Sequence, residues 1–160
     1  MLGHNRALTR LGEMYQTGTG VMQNDDLALE MFQKAADQGY AQAQFRLGEL
    51  YRKGIIVSRS ETLAHEWYGK AAAAFRKASK PDRSTSQFHL GLLYQNGWGV
   101  PQDFSRAAEY YQNAADEDHA QAVHELANLY AHGKGVRWNP FKAKKLRQKA
   151  ESLGYQKQTM

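Results

Sequence analysis

Leu11-Gly12-Glu13-Met14-Tyr15-Gln16-Thr17-Gly18-Thr19-Gly20-Val21 recurs three times along the chain. The second copy is Leu47-Gly48-Glu49-Leu50-Tyr51-Arg52-Lys53-Gly54-Ile55-Ile56-Val57, and the third is Leu90-Gly91-Leu92-Leu93-Tyr94-Gln95-Asn96-Gly97-Trp98-Gly99-Val100. The fourth is Leu126-Ala127-Asn128-Leu129-Tyr130-Ala131-His132-Gly133-Lys134-Gly135-Val136. Tyr15, Tyr51, Tyr94 and Tyr130 lie 36, 43 and 36 residues apart. Ala28, Ala64, Ala107 and Ala143 keep the same separations, as do Phe32, Tyr68, Tyr111 and, as a departure, Arg147. The pairs Ala35-Ala36, Ala71-Ala72 and Ala114-Ala115 follow in step, with Ala150-Glu151 last. Self-similarity at such a period is the signature of a repeat architecture.

Each copy reads as two helices. In the second copy Ala43, Leu47, Leu50 and Tyr51 stand at i, i+4, i+7 and i+8, one face of a helix near 41–53. Gly54 follows, where a glycine ends a helix. The next helix begins after Ser60, and the equivalent positions are Asn24, Asp103 and Asn139. All four side chains carry an oxygen that can accept from an orphan N–H of the first turn. Pro140 follows Asn139 at a position where its missing N–H costs nothing. Gly12, Gly48 and Gly91 sit inside helices, each at a cost of about 0.5–1 kcal/mol against alanine. The expected gain is close approach of the partner helix through its alanines, with Phe32, Tyr68 and Tyr111 filling the space between stacked units. A two-helix unit cannot bury its apolar face alone, so neighbouring units must stack.

The composition fits that architecture. The 160 residues are 42% hydrophobic and 23% charged, with no cysteine. No disulfide framework, thiolate metal site or cysteine nucleophile is available. No apolar run approaches the ~20 residues needed to cross a bilayer, and Met1–Arg6 has no apolar run of leader length. The compartment is not legible. The net charge of +5 is uneven. From Gly133 onward there are eight basic residues and one acid, a net +7, which leaves −2 for the rest. A basic last helix suits a polar terminal cap. Stacking aromatics look scarce around it, with Phe141 and Tyr155 noted, which argues against a nucleic-acid surface.

The pattern Ala-x-Ala-x-x-x-Leu-Gly-x-x-Tyr-x-x-Gly-x-Gly-Val, followed by Ala-x-x-x-Tyr-x-x-Ala-Ala, resembles the Sel-one-like repeat family, relatives of the tetratricopeptide repeats. The likeness runs over residues 5–40, 41–82, 83–119 and 120–155. It implies an all-α fold: a right-handed superhelical α-solenoid of four helix–turn–helix repeats in one domain. Departures are Ile56 for a loop glycine, Ala127 for a helical glycine, Arg147 for an aromatic, and a seven-residue insertion in the second copy. Seven residues nearly equal two helical turns, so the second helix of that copy is expected to run on by about two turns and stop before Pro81. The extension would carry Arg76, Lys77, Lys80 and Arg83. Residues 1–4 resemble the tail of a preceding copy.

No catalytic constellation stands out. The Gly-x-Gly loops follow a helix and lack Gly-Lys-Ser/Thr, which excludes a phosphate loop. The six histidines show no metal-ligand spacing. The expectation is therefore no enzyme, no cofactor and no metal. By analogy with tetratricopeptide units, the first helix of each repeat lines the concave side. Candidate partner-binding residues there are Phe45, Glu49, Arg52, Phe88, Leu92, Gln95, His124 and Asn128. Phe45 and Phe88 would be the anchors. The resemblance implies a scaffold or adaptor binding a protein or peptide, such as a regulatory or immunity-type partner in bacteria. The alternatives are a cell-envelope enzyme or cell-wall ligand binder, and an acidic or nucleic-acid partner at the terminal helix. Envelope relatives carry a disulfide in each repeat, which this cysteine-free chain lacks.

Overall fold

A computed structural model describes residues 2–78 and 82–156. The elements are α1 (Leu2–Thr17), α2 (Asp25–Asp37), α3 (Ala41–Lys53), α4 (Glu61–Phe75), α5 (Arg83–Asn96), α6 (Phe104–Asp116), α7 (Ala120–His132) and α8 (Pro140–Ser152). No strand occurs among the described residues. The helices form two compact units, Met1–Ala74 and Phe75–Met160, each built from two helical hairpins.

The hairpin turns are the same in all four repeats, for an identifiable reason. The backbone N–H of Asn24, Ser60, Asp103 and Asn139 donates to the carbonyl of Tyr15, Tyr51, Tyr94 and Tyr130 respectively, at 2.9–3.0 Å. The side chain of the same residue then caps the second helix. Asn24 Oδ1 accepts from Leu27 N–H, Asp103 Oδ1 from Ser105 and Arg106 N–H, and Asn139 Oδ1 from Lys142 N–H, all near 3.0 Å. Ser60 Oγ accepts from Leu63 N–H at a longer 3.3 Å. One residue thus closes the turn with its N–H and starts the helix with its side chain. Gly54 ends α3 in the left-handed region at φ 67°. Ile56 adopts φ 58° where the other copies have glycine, a conformation that β-branched residues rarely hold.

In unit 1 the core is Ala28, Phe32, Ala35, Ala36, Tyr40, Ala43, Leu47 and Leu50, with Leu8, Leu29 and Trp67 packed against it. The helical glycines have a different purpose from the one expected. A Cβ on Gly48 would lie 2.7 Å from the ring of Tyr68, one on Gly91 2.4 Å from the ring of Tyr111, and one on Gly12 2.9 Å from Phe32. The glycine therefore makes room for an aromatic ring of its own hairpin, not for a facing alanine. Phe32 fills space inside its own hairpin and also joins the core that α3 completes. This explains two departures at once: the fourth repeat has Arg147 in place of the ring and Ala127 in place of the glycine. Without a ring to seat, alanine is the better helix residue, and Ala127 is fully buried.

Gly135 shows a second close approach. A Cβ there would stand 2.2 Å from the carbonyl carbon of Phe104, so the α7–α8 loop presses its bare backbone onto the start of α6. The insertion also departs from expectation. α4 ends at Phe75, two residues beyond the equivalent end of α2, and Ala78 N–H closes a turn onto Phe75 O at 3.1 Å. Packing stops the helix there. Phe75 is buried and stacks on His89 at 4.9 Å, and Arg76 donates to the Tyr94 hydroxyl at 2.8 Å. Arg83 pairs with Glu117 at 3.6 Å. Lys80 and the stop assigned to Pro81 lie outside the described residues.

Candidate protein-interaction face

The eight candidate residues divide between the two units and meet different fates. In unit 1, Phe45 is only 5% exposed and sits edge-on against Tyr68, with ring centroids 5.3 Å apart. It is core, which corrects its assignment as a groove anchor. Its position on α3 faces the ring of Tyr68 on α4, which itself sits over Gly48. Glu49 is held by Arg46 at 2.9 Å and Lys53 at 3.3 Å. Arg46 also reaches Glu13 on α1 at 2.8 Å, which stitches the first two repeats together. Burial works against the Arg46 charge, but the two carboxylates outweigh it and raise its pKa. Arg52 donates to the Tyr68 hydroxyl at 3.3 Å. Burial is the main reason the Tyr68 hydroxyl rises to about 12, so it stays protonated. The polar candidates of unit 1 are thus already engaged within it.

Unit 2 presents a more open face. Phe88 is half-buried, stacked on His119 at 4.7 Å and tilted against Tyr111 at 6.0 Å. Leu92 is half-buried. His124 stacks on Tyr155 at 4.2 Å. The two stacked pairs, Phe88 with His119 and His124 with Tyr155, are the same contact one repeat apart, since each partner is displaced by 36 residues. His119 caps α7, its Nδ1 accepting from Ala122 N–H at 3.3 Å. Burial lowers its pKa, so the ring is neutral at physiological pH.

Two cavities open along α7. One, of about 500 Å³, runs between α5 and α7 and includes Gln95, Phe104, Glu125, Asn128, Leu129 and His132. The other, of about 450 Å³, is lined by His124, Asn128, Arg147, Glu151 and Tyr155. Asn128 lines both, so Gln95, His124 and Asn128 share one stretch of surface. The Gln95 Oε1 is buried without a hydrogen-bond partner. Gln95 holds the position that Arg52 holds in the second repeat, and the Tyr111 hydroxyl, equivalent to that of Tyr68, is likewise unpartnered. Burial raises the Tyr111 pKa, with the Glu125 carboxylate adding to the effect. Sequence reasoning missed Phe104, Glu125, Arg147 and Tyr155 as lining residues. Arg147 carried a legible signal as the one cation at an aromatic register.

The described residues contain no cluster of three histidine or carboxylate groups that could hold a metal ion. No helix among them is long and apolar enough to cross a membrane. The face offers carboxamides, two carboxylates (Glu125 and Glu151), imidazoles and a guanidinium: hydrogen-bonding chemistry suited to recognition.

Comparison with known proteins gives the same architecture. The Sel1 repeat model matches residues 5–40, 41–74, 84–119 and 120–155. A Sel1 repeat protein from Oxalobacter formigenes is 32% identical with a TM-score of 0.67, covering 94% of this chain and 59% of its own. A protective antigen of uropathogenic Escherichia coli, c5321, which displays an SLR fold, is 29% identical with a TM-score of 0.64. That match covers 94% of this chain and 31% of the antigen. The chain therefore spans less than two thirds of either solved relative. No curated protein matches it significantly. Sel1 repeats are generally non-enzymatic scaffolds that mediate protein–protein interaction. With four matched repeats over most of its length and an all-α solenoid fold built from them, the chain belongs to the Sel1 repeat family.

Proposed function

We propose that this protein is a non-enzymatic adaptor that binds an extended peptide or loop of a partner protein along α5 and α7 of unit 2. The observation that carries this is the α5–α7 cavity with Gln95 and Asn128 on its walls. A carboxamide offers both donors and an acceptor, which matches the alternating N–H and C=O of an extended backbone. A buried acceptor left unsatisfied costs ~1–3 kcal/mol, so a ligand N–H reaching Gln95 Oε1 recovers that cost on binding. Phe88 and Leu92 supply half-buried apolar surface on the same helix as Gln95. Of the charged candidates of unit 1, Glu49 is held in ion pairs and Arg52 donates to the Tyr68 hydroxyl, so they support the scaffold and not the contact.

The test begins with a partner captured from native extract and then purified. Its affinity is measured by calorimetry against wild type, Asn128→Ala, Gln95→Ala and Leu92→Glu. Each alanine variant is expected to weaken binding by about tenfold, the typical loss for a hydrogen-bonding contact at a buried position. Leu92→Glu should weaken it further. If all three variants bind as wild type does, the α5–α7 face is not the docking surface.

A further inference from the structure

The fourth repeat differs from the other three on its outward side, and the differences share one chemistry. Trp138 and Phe141 flank the cap of α8, and they are 64% and 82% exposed. The other repeats have polar side chains at both registers: Gln23, Arg59 and Gln102 for the first, and Asp26, Thr62 and Ser105 for the second. Lys145 replaces a glutamate that is exposed in all three other copies, Glu30, Glu66 and Glu109. Phe141, Lys144, Lys145 and Gln148 stand at i, i+3, i+4 and i+7, one exposed stripe of α8. Arg137 adjoins Trp138 and is also exposed. Two bare aromatics thus lie inside the segment that holds the net charge of +7.

Neither aromatic is needed to cap the helix. Asn139 does that through its own side chain, and Pro140 sets the first turn. A soluble capping helix gains nothing from a phenylalanine standing in water, since burying such a ring is favourable. The cations Lys144 and Lys145 form no ion pair among the described residues. Lys142 and Lys149 are engaged by Tyr130 and Asp118.

We propose that the outward face of α8, with Trp138 and Phe141 at its leading end and Arg137, Lys144 and Lys145 around them, binds the interface of an anionic lipid bilayer. The aromatic rings enter the headgroup boundary and the cations meet lipid phosphates, the division of labour of an interfacial segment. Charge complementarity selects an anionic surface, and the exposure of the rings selects lipid over nucleic acid. A base-stacking platform lies flat and covers one ring face. A phenylalanine at 82% exposure leaves most of its surface free to enter a headgroup layer. This surface is separate from the α5–α7 face, so an adaptor could hold its protein partner while resting on a membrane.

The test is sedimentation of the full chain with vesicles of phosphatidylcholine alone, and of phosphatidylcholine with about one quarter phosphatidylglycerol, at low and moderate salt. Binding is expected on the anionic vesicles and at least about tenfold weaker on the neutral ones. Lys144→Glu/Lys145→Glu should remove that preference, at about fivefold or more per cation. Trp138→Ala/Phe141→Ala should lower binding at both salt concentrations. The emission blue shift on binding should vanish in Trp138→Phe. All these residues are exposed, so the variants keep the wild-type helical circular dichroism. Absence of binding to anionic vesicles would overturn the proposal, as would binding that neither double variant changes. A single-stranded oligonucleotide that binds more tightly than the vesicles, through the same aromatics, would assign the patch to nucleic acid and overturn it equally.

Discussion

Replacing Gly91 with alanine tests the packing logic of the whole array, because a helix alone and this helix in its hairpin predict opposite signs. In an isolated helix the change stabilises by about 0.5–1 kcal/mol. Here the new Cβ would fall 2.4 Å from two ring carbons of Tyr111, against an ordinary contact of 3.4–4 Å. The ring has nowhere to retreat, being fully buried and packed against Phe88. Overpacking of this kind costs about 1–3 kcal/mol. The net effect should be a loss of ~1–2 kcal/mol, or roughly 2–8 °C in Tm for a chain of this size. Removing the ring should reverse the sign: in a Tyr111→Leu background, Gly91→Ala should stabilise. The coupling from the double-mutant cycle should be about 2 kcal/mol. Urea unfolding monitored by tryptophan emission measures it. The cost should also rank with the clash, Gly91 above Gly48 above Gly12, following their Cβ distances of 2.4, 2.7 and 2.9 Å. A Gly91→Ala variant more stable than wild type, or one with the same effect in both backgrounds, would refute the reasoning.

Two further outcomes follow from named contacts. His119 is half-buried and accepts a cap hydrogen bond through Nδ1, and that burial holds its pKa below the ordinary value near 6.5. The unfolded chain therefore binds the proton first, so the stability His119 contributes is complete above about pH 6.5 and declines as the pH falls toward its folded pKa. The urea midpoint should drop between about pH 7.5 and pH 5. His119→Asn keeps a cap acceptor and should flatten that dependence, and an unchanged slope would count against the assignment. Asn139→Ala should cost ~1 kcal/mol, while Ser60→Ala should cost less because its 3.3 Å bond is the longer. Thermal melts of the two variants check the order.

Much of the hairpin pattern was readable from periodicity. The four cap residues, the glycine stops and the turn lengths are local chemistry, and each occurs where its repeat register puts it. The candidate site was less readable. Phe45 and Phe88 share one register, yet one is core and the other half-exposed, because exposure depends on what packs over the residue. Glu49 and Asn128 also share a register. One is clamped by Arg46 and Lys53 and the other lines two cavities, a difference set by neighbours on adjacent turns and repeats. The expected two-turn extension of α4 failed for a similar reason. Helical phase allowed it, but burial of Phe75 and the hydrogen bond of Arg76 to Tyr94 ended the helix earlier.

The covariation of Gly12, Gly48 and Gly91 with Phe32, Tyr68 and Tyr111, and of Ala127 with Arg147, was present in the bare sequence, but its meaning was not. Sequence alone determined that the chain is four helical hairpins of the Sel1 repeat type, since caps and apolar spacing act over a few residues. Only tertiary structure decided that each glycine seats a ring, which polar groups are already paired, and where a face is left open. Apart from the pairs of Glu49 with Arg46 and Lys53, which lie one turn away, those outcomes depend on distances between residues from sixteen to more than thirty positions apart, and no local rule sets such distances.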